Sequence, residues 1–103
     1  MTTRLPVKGT LESVTLGFDF SREATSVSEP SITVEVESSA ASDDDPTAIL
    51  VGDLQVDGTN PARVLQRVAA GVDATDYRIQ CTAQTDAGDT LTVAVILPVR
   101  EKL

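Results

Sequence analysis

The chain contains no histidine, no tryptophan and only one cysteine among its 103 residues. Without histidine, neither a Ser-His-Asp triad nor a Cys-His pair can form, and a cysteine–histidine zinc site is excluded as well. A single cysteine cannot make an intramolecular disulfide. Carboxylates such as Asp43 and Asp53 are present, but no pattern orients them for acid–base chemistry. The composition therefore predicts a protein that is not an enzyme and that uses no cofactor and no metal.

A basic excess and a long apolar run are also missing. The chain has 16 acidic and 8 basic residues, which gives a formal net charge of −8. Nucleic acid phosphates and anionic lipid headgroups both attract basic surfaces, so this balance argues against nucleic acid and membrane as partners. No apolar stretch approaches the ~18 residues of a membrane-spanning helix. The length is that of one domain.

The sequence does contain a repeated alternation of apolar and polar side chains, which predicts strands with one buried face. Residues 76–99 form two alternating stretches around Asp86-Ala87-Gly88-Asp89, and this pattern predicts a hairpin. Residues 47–51 and 53–56 are shorter apolar pieces that suit two short strands. The side chains predicted to form the core are Val14, Leu16, Phe18, Phe20, Ile32, Val34, Val36, Tyr77, Ile79, Cys81, Leu91, Val93, Val95 and Leu97.

About seven short strands with polar turns predict an all-β fold, an immunoglobulin-like antiparallel β-sandwich. Residues 63–70 fit either two turns of helix or a strand, and the strand is favoured because the clear elements nearby are strands. Tyr77 lies near the start of the penultimate strand, where such folds can place a tyrosine corner. Cys81 shares the apolar face of Tyr77, which predicts a buried and inert thiol.

The first nine residues are predicted to be an N-terminal arm or edge segment (residues 1–9), followed by a single β-sandwich domain (residues 10–103). One interpretation is a frayed terminus. The other is an arm that packs on a neighbouring subunit. In that case the predicted partner contacts are Arg4, Leu5, Val7 and Lys8.

The run Asp43, Asp44 and Asp45 also has two interpretations. A calcium site needs six or more oxygen ligands, and neither spaced carboxylates nor a closing glutamate follow this run, so a solvated loop is favoured. The acidic loop adjoins the predicted edge at residues 47–56, whereas the N-terminal edge carries basic side chains. Opposite charges on two edges favour head-to-tail contacts, which can close copies of the chain into a ring.

Several short stretches follow one another in a characteristic order and spacing along nearly the whole chain. They are Leu5-Pro6-Val7-Lys8-Gly9, Phe18-Asp19-Phe20-Ser21, Asp45-Pro46-Thr47-Ala48-Ile49-Leu50, Val64-Leu65-Gln66-Arg67-Val68, Gly71-Val72-Asp73, Asp76-Tyr77 through Cys81-Thr82-Ala83, and Leu97-Pro98-Val99-Arg100. In this layout the chain resembles the bacteriophage fiber-tail adaptor proteins, a family of small virion proteins. No single motif carries the resemblance, and the acidic loop at residues 38–45 departs from the family pattern.

The resemblance implies an immunoglobulin-like virion structural protein that is made in the host cytoplasm and assembled into the tail or neck. Its implied partners are other virion proteins at the tail adaptor, the portal region or a tail fibre, with symmetric copies arrayed on the particle. A capsid decoration protein is the alternative that composition does not separate from this one. A host-surface or carbohydrate-binding module is disfavoured because sugar sites use exposed aromatic rings, and Phe18, Phe20 and Tyr77 occupy core-like positions.

Overall fold

The computed structural model describes residues 2–39 and 45–101, and most of these residues lie in strands. The described strands are β1 (Thr2–Arg4), β2 (Lys8–Gly9), β3 (Ser13–Asp19), β4 (Val27–Ser39), β5 (Leu50–Asp57), β6 (Asn60–Ala69), β7 (Thr75–Thr85) and β8 (Thr90–Arg100). One turn of 3-10 helix, Pro46–Ile49, lies between β4 and β5. The predicted all-β class and the predicted hairpin, β7 with β8, are both confirmed.

The strands form two sheets that pack face to face. One sheet has the order β1-β8-β7-β4, with β2 also paired to β8, and the other has the order β3-β6-β5. β1 and β2 run parallel to β8, while the other described pairings are antiparallel. This is the immunoglobulin arrangement, except that the N-terminal segment lies beside the last strand instead of beside β3.

The core lies between the two sheets and is built from the inward side chains that the alternation predicted. Phe18, Tyr77 and Ile79 are completely buried. Ile32, Val36, Leu91 and Val93 are only partly buried and pack against this core. The prediction for Val14 is wrong, because this side chain is 36% exposed where it lines an open groove at one edge of the sandwich.

The stretch predicted as two short strands is different in the structure. Residues 46–49 form the 3-10 helix, which begins at a proline that needs no N–H partner there. A single strand, β5, then follows, and its register with β6 shifts between Val51 and Gln55. Gly52 takes a φ of 74° in this bulge, a conformation that favours glycine.

The strand prediction for residues 63–70 is confirmed, since β6 is the central strand of the three-stranded sheet. Val64, Gln66 and Val68 are buried on its inner face. The buried Gln66 amide donates to the carbonyl oxygens of Val51, at 3.1 Å, and Arg67, at 2.8 Å. The Val51 carbonyl, where the β5 bulge begins, thereby has a hydrogen-bond donor from the Gln66 side chain.

Tyr77, at a position where a tyrosine corner can occur, makes such a corner. Its phenolic oxygen accepts a hydrogen bond from the backbone N–H of Val72 at 2.9 Å. Gly71 precedes this contact with a φ of 104°, and a Cβ there would lie 3.1 Å from the Val99 side chain. A bulkier residue at position 71 would therefore disturb the corner between β6 and β7.

Replacing Phe18 with alanine should lower the free energy of unfolding by about 3–5 kcal/mol, because the ring is fully buried. That loss is a large part of the roughly 5–15 kcal/mol available to a domain of this size. Urea unfolding followed by circular dichroism measures the change, and Phe18→Leu should lose less. An unchanged melting temperature for Phe18→Ala would contradict the assignment of the inner face.

Tyr77→Phe should lower the free energy of unfolding by about 1 kcal/mol, since it removes one hydrogen bond and leaves the Val72 N–H without its acceptor. Amide exchange at Val72, followed by NMR, should become faster while exchange in the middle of β8 changes little. Equal stability together with unchanged exchange at Val72 would show that this hydrogen bond does not form in solution.

Candidate interaction surface

The N-terminal segment forms the edge of the five-stranded sheet, where its strands β1 and β2 both pair with β8. Arg4 pairs with Ile96 in a parallel register, and the N–H of Leu5 donates to the carbonyl of Ile96 at 2.8 Å. The pairing then breaks and resumes where Lys8 lies beside Val99. Pro6 and Pro98 both lie in this break, and neither has a backbone N–H to donate.

An ion-pair cluster fixes the start of this segment. Asp76 on β7 accepts hydrogen bonds from Arg4 of β1 at 3.2 Å and from Arg100 of β8 at 2.8 Å. The Ser38 hydroxyl donates to the same carboxylate at 3.2 Å. We name these four residues the Asp76 cluster. It joins four strands of one sheet, β1, β8, β7 and β4, on the sheet's outer face.

The electrostatics of the Asp76 cluster favour the ionised carboxylate. Burial alone would raise the pKa of Asp76, but the hydrogen bonds and charges of Arg100 and Arg4 outweigh it, and the pKa is lowered. The two guanidinium groups are partly exposed, so solvent screens the attraction. The cluster is therefore a partly exposed ion-pair network of moderate strength and not a buried salt bridge.

The second half of the segment is held by a buried ammonium group. Lys8 is only 3% exposed, and its Nζ donates to the carbonyl oxygens of Gly9, at 2.7 Å, and Ala70. Glu12 accepts the N–H of Gly9 at 2.5 Å and closes the following turn. Burial lowers the pKa of Lys8, and the charge of Glu12 opposes that effect.

Beside this segment the sandwich presents apolar side chains to solvent. Leu11 is 99% exposed at the tip of the turn between β2 and β3, Val7 is 48% exposed, and Val14 is 36% exposed. We call these three residues the N-terminal patch. Next to it lies a groove of about 260 Å³, whose apolar lining is Leu5, Pro6, Val7, Val14, Leu16 and Leu97.

The structure brings the four predicted contact residues to this edge but presents them differently. Arg4 and Val7 are exposed, Leu5 is half-buried, and Lys8 faces inward. The prediction of head-to-tail contacts relied on basic side chains at this edge. Both basic groups already have a place within the chain, because Arg4 is paired with Asp76 and Lys8 is buried.

Leu11 and Val14 are contact candidates that the sequence interpretation missed. Leu11 lies in the turn Gly9-Thr10-Leu11-Glu12, outside any alternating stretch. A leucine in such a turn has no strand face on which to be buried, and this could have indicated its exposure. Val14 was assigned to the core because it shares the alternation of β3. Its exposure arises because the opposing sheet leaves the groove open at this position.

The remaining sites considered from the sequence are the acidic run and the single cysteine. Asp43 and Asp44, which carried the calcium interpretation, lie outside the described residues. Among residues 2–39 and 45–101, no group of three or more acidic or cysteine side chains could hold a metal ion. Cys81 is fully buried, and burial raises the pKa of its thiol to about 11, which keeps it protonated and unreactive. No helix in the described part of the chain is long and apolar enough to cross a membrane.

Comparison with known proteins does not assign the chain to a family. No family model matches the chain, and no curated protein matches it at a significant level.

Replacing Asp76 with asparagine should cost about 1 kcal/mol of unfolding free energy at pH 7, because the carboxylate's pairing with two partly exposed arginines is lost. A carboxylate with a lowered pKa stabilises the fold above its ordinary pKa, and the contribution is lost as pH falls through the lowered value. The difference between the wild type and Asp76→Asn should therefore be complete at neutral pH and shrink below about pH 4.

Urea unfolding of both proteins across this pH range measures the difference directly. Asp53→Asn is the matched control, since Asp53 is an exposed aspartate on β5 and makes no ion pair within the described residues. A difference for Asp76→Asn that stays constant down to about pH 2.5 would rule out the ion-pair account.

Proposed function

We propose that this chain is a non-enzymatic structural protein of a bacteriophage virion, a fiber-tail adaptor that joins parts of the tail or neck through protein–protein contacts. Its partners on this proposal are other virion proteins at the tail adaptor, the portal region or a tail fibre. Symmetric copies would stand around the particle axis. The resemblance described above supports the assignment, and the immunoglobulin-like fold that it implied is the fold of the chain.

The observation that carries the proposal is the N-terminal patch. Val7 and Val14 are exposed and line an open apolar groove, and Leu11, which is 99% exposed, directly precedes the lining residue Glu12. Exposed apolar side chains grouped around a groove are typical of a protein contact site. The Asp76 cluster holds the segment that forms one wall of this groove. A contact surface that is already formed before binding loses little conformational entropy on association, which suits a component of a rigid assembly.

The aromatic side chains bear on the carbohydrate-binding alternative. Phe18, Phe20 and Tyr77 are the only aromatic residues of the chain, and all three are buried. No aromatic ring is therefore exposed for a sugar to stack on. A protein contact surface agrees better with this distribution of side chains.

Phage particles assembled with a Val7→Asp, Leu11→Asp variant should contain several-fold fewer copies of the chain than wild-type particles, because two charges would be buried in the contact. Val51→Asp is the matched control, since Val51 is 40% exposed on β5, away from the patch, and should be incorporated normally. Quantitative mass spectrometry of purified particles gives the copy number. Circular dichroism of the isolated variants shows whether they fold.

Cryo-electron microscopy of the wild-type particles locates the chain. Density at the tail or neck is the expected result, and density spread over the shell would favour a capsid decoration protein instead. Absence of the chain from purified particles, or normal incorporation of a folded Val7→Asp, Leu11→Asp variant, would overturn the proposal.

A further inference from the structure

The opposite edge of the same sheet has a different character from the N-terminal edge. β4 is 13 residues long and is hydrogen-bonded on one side to β7. No described strand is hydrogen-bonded to its other side, although the 3-10 helix and β5 of the facing sheet pack close to β4. Its register with β7 shifts between Ser28 and Ser31 and again between Val36 and Ser38. Between these two bulges, residues 31–36 run in regular register. We call this stretch the β4 window.

Among the described residues, the backbone of the β4 window is hydrogen-bonded only to β7. In a regular edge strand, alternate residues direct their N–H and C=O groups away from the sheet, and these groups can pair with an added strand. The first part of β4 is protected from such pairing by Pro30, which lacks an N–H, and by the left-handed backbone of Glu29, with a φ of 49°. The window itself carries neither device, and its six residues span about 20 Å.

The inner-face side chains of the window are incompletely covered. Val34 is buried, whereas Ile32 and Val36 on either side of it are only partly buried. An added strand with apolar residues on this face would cover both of them. The free energy gained by covering each side chain is modest. The two side chains lie at alternate positions of the strand, as the pairing of an added strand requires.

The outer-face side chains define the charge of a suitable partner. Glu35 lies within the window, and Glu29 and Glu37 flank it. All three are exposed and none forms an ion pair with another described residue, although Glu35 lies opposite Arg78 of β7 in the sheet register. Lysine or arginine placed opposite these carboxylates on a neighbouring strand would be attracted to them. Two copies of this chain joined through β4 would instead bring acidic residues together.

We propose that the β4 window binds an extended segment of another protein as an added strand, and that this segment alternates apolar with basic residues. Its apolar residues cover Ile32 and Val36, its basic residues face Glu35 and the flanking glutamates, and its backbone pairs with that of β4. This site lies at the far edge of the sheet from the N-terminal patch. The inference does not depend on the virion assignment, because the isolated chain is sufficient to test it.

The test uses a capped synthetic peptide of about eight residues that alternates valine with lysine, added to isotope-labelled protein. NMR should show slower amide exchange at alternate residues of the β4 window and no change in β3 or β5. A peptide of the same sequence, N-methylated at alternate residues, keeps the charge but cannot pair along both sides of its backbone. It should bind at least about tenfold more weakly than the parent peptide.

Protein variants test the charge requirement. Glu35→Lys with Glu37→Lys should weaken peptide binding by about tenfold, since attractive cross-strand pairs become repulsive. The matched control is Glu23→Lys with Glu101→Lys, which changes the net charge equally at exposed glutamates outside β4 and should change binding little.

Three results would overturn the inference. The first is equal binding of the N-methylated peptide, which would show charge attraction without strand pairing. The second is protection that maps to another edge. The third is self-association of the chain with the β4 window already protected when no peptide is present, which would make a second copy the occupant.

Discussion

The feature on which the described surface depends is the pairing of Asp76 with Arg4 and Arg100. This carboxylate ties the first residues of the chain to the last strand and to the strand beside it. Parallel pairing along β8 then continues, with one break, to the buried Lys8. If this pairing were absent, the segment from Leu5 to Val7 would be held less firmly, by the Leu5–Ile96 hydrogen bond and by the buried Lys8. A moderately strong surface ion pair thus helps to hold this end of the molecule as a shaped site instead of a loose terminus.

The two edges of the larger sheet solve the edge-strand problem in different ways. At one edge the pairing of the N-terminal segment is interrupted at a proline and resumes over Lys8–Gly9, and the chain then turns away and exposes Leu11. At the other edge, bulges and Pro30 protect the ends of β4 but leave its middle regular and acidic. A domain with an apolar contact at one edge and a strand-accepting contact at the other can link two partners. Such a layout is consistent with the proposed role as an adaptor.

Much of this fold could be predicted because alternation is a local signal. Phe18, Tyr77, Ile79 and Leu97 were assigned to the core from the alternation of their own neighbours in sequence. The errors arise where distant residues decide the outcome. Arg4 meets Asp76 across 72 positions, and Lys8 meets Ala70 across 62. Nothing local shows that Lys8 will turn inward, or that Val14 will face an open groove. The sequence therefore predicted that the N-terminal segment lies at an edge of the sandwich, but not which of its side chains are exposed.

The most direct test of this account is amide hydrogen exchange at Leu5 in the isolated protein, measured by NMR at neutral pH. If the N-terminal segment is a fixed edge strand, the Leu5 N–H, which donates to the Ile96 carbonyl, should exchange at least about tenfold more slowly than an unstructured amide. Protection should fall in the Asp76→Asn variant, while the middle of β7 stays protected. Exchange of Leu5 at the unstructured rate in the wild-type chain would show that the segment is a free arm, and would contradict the account.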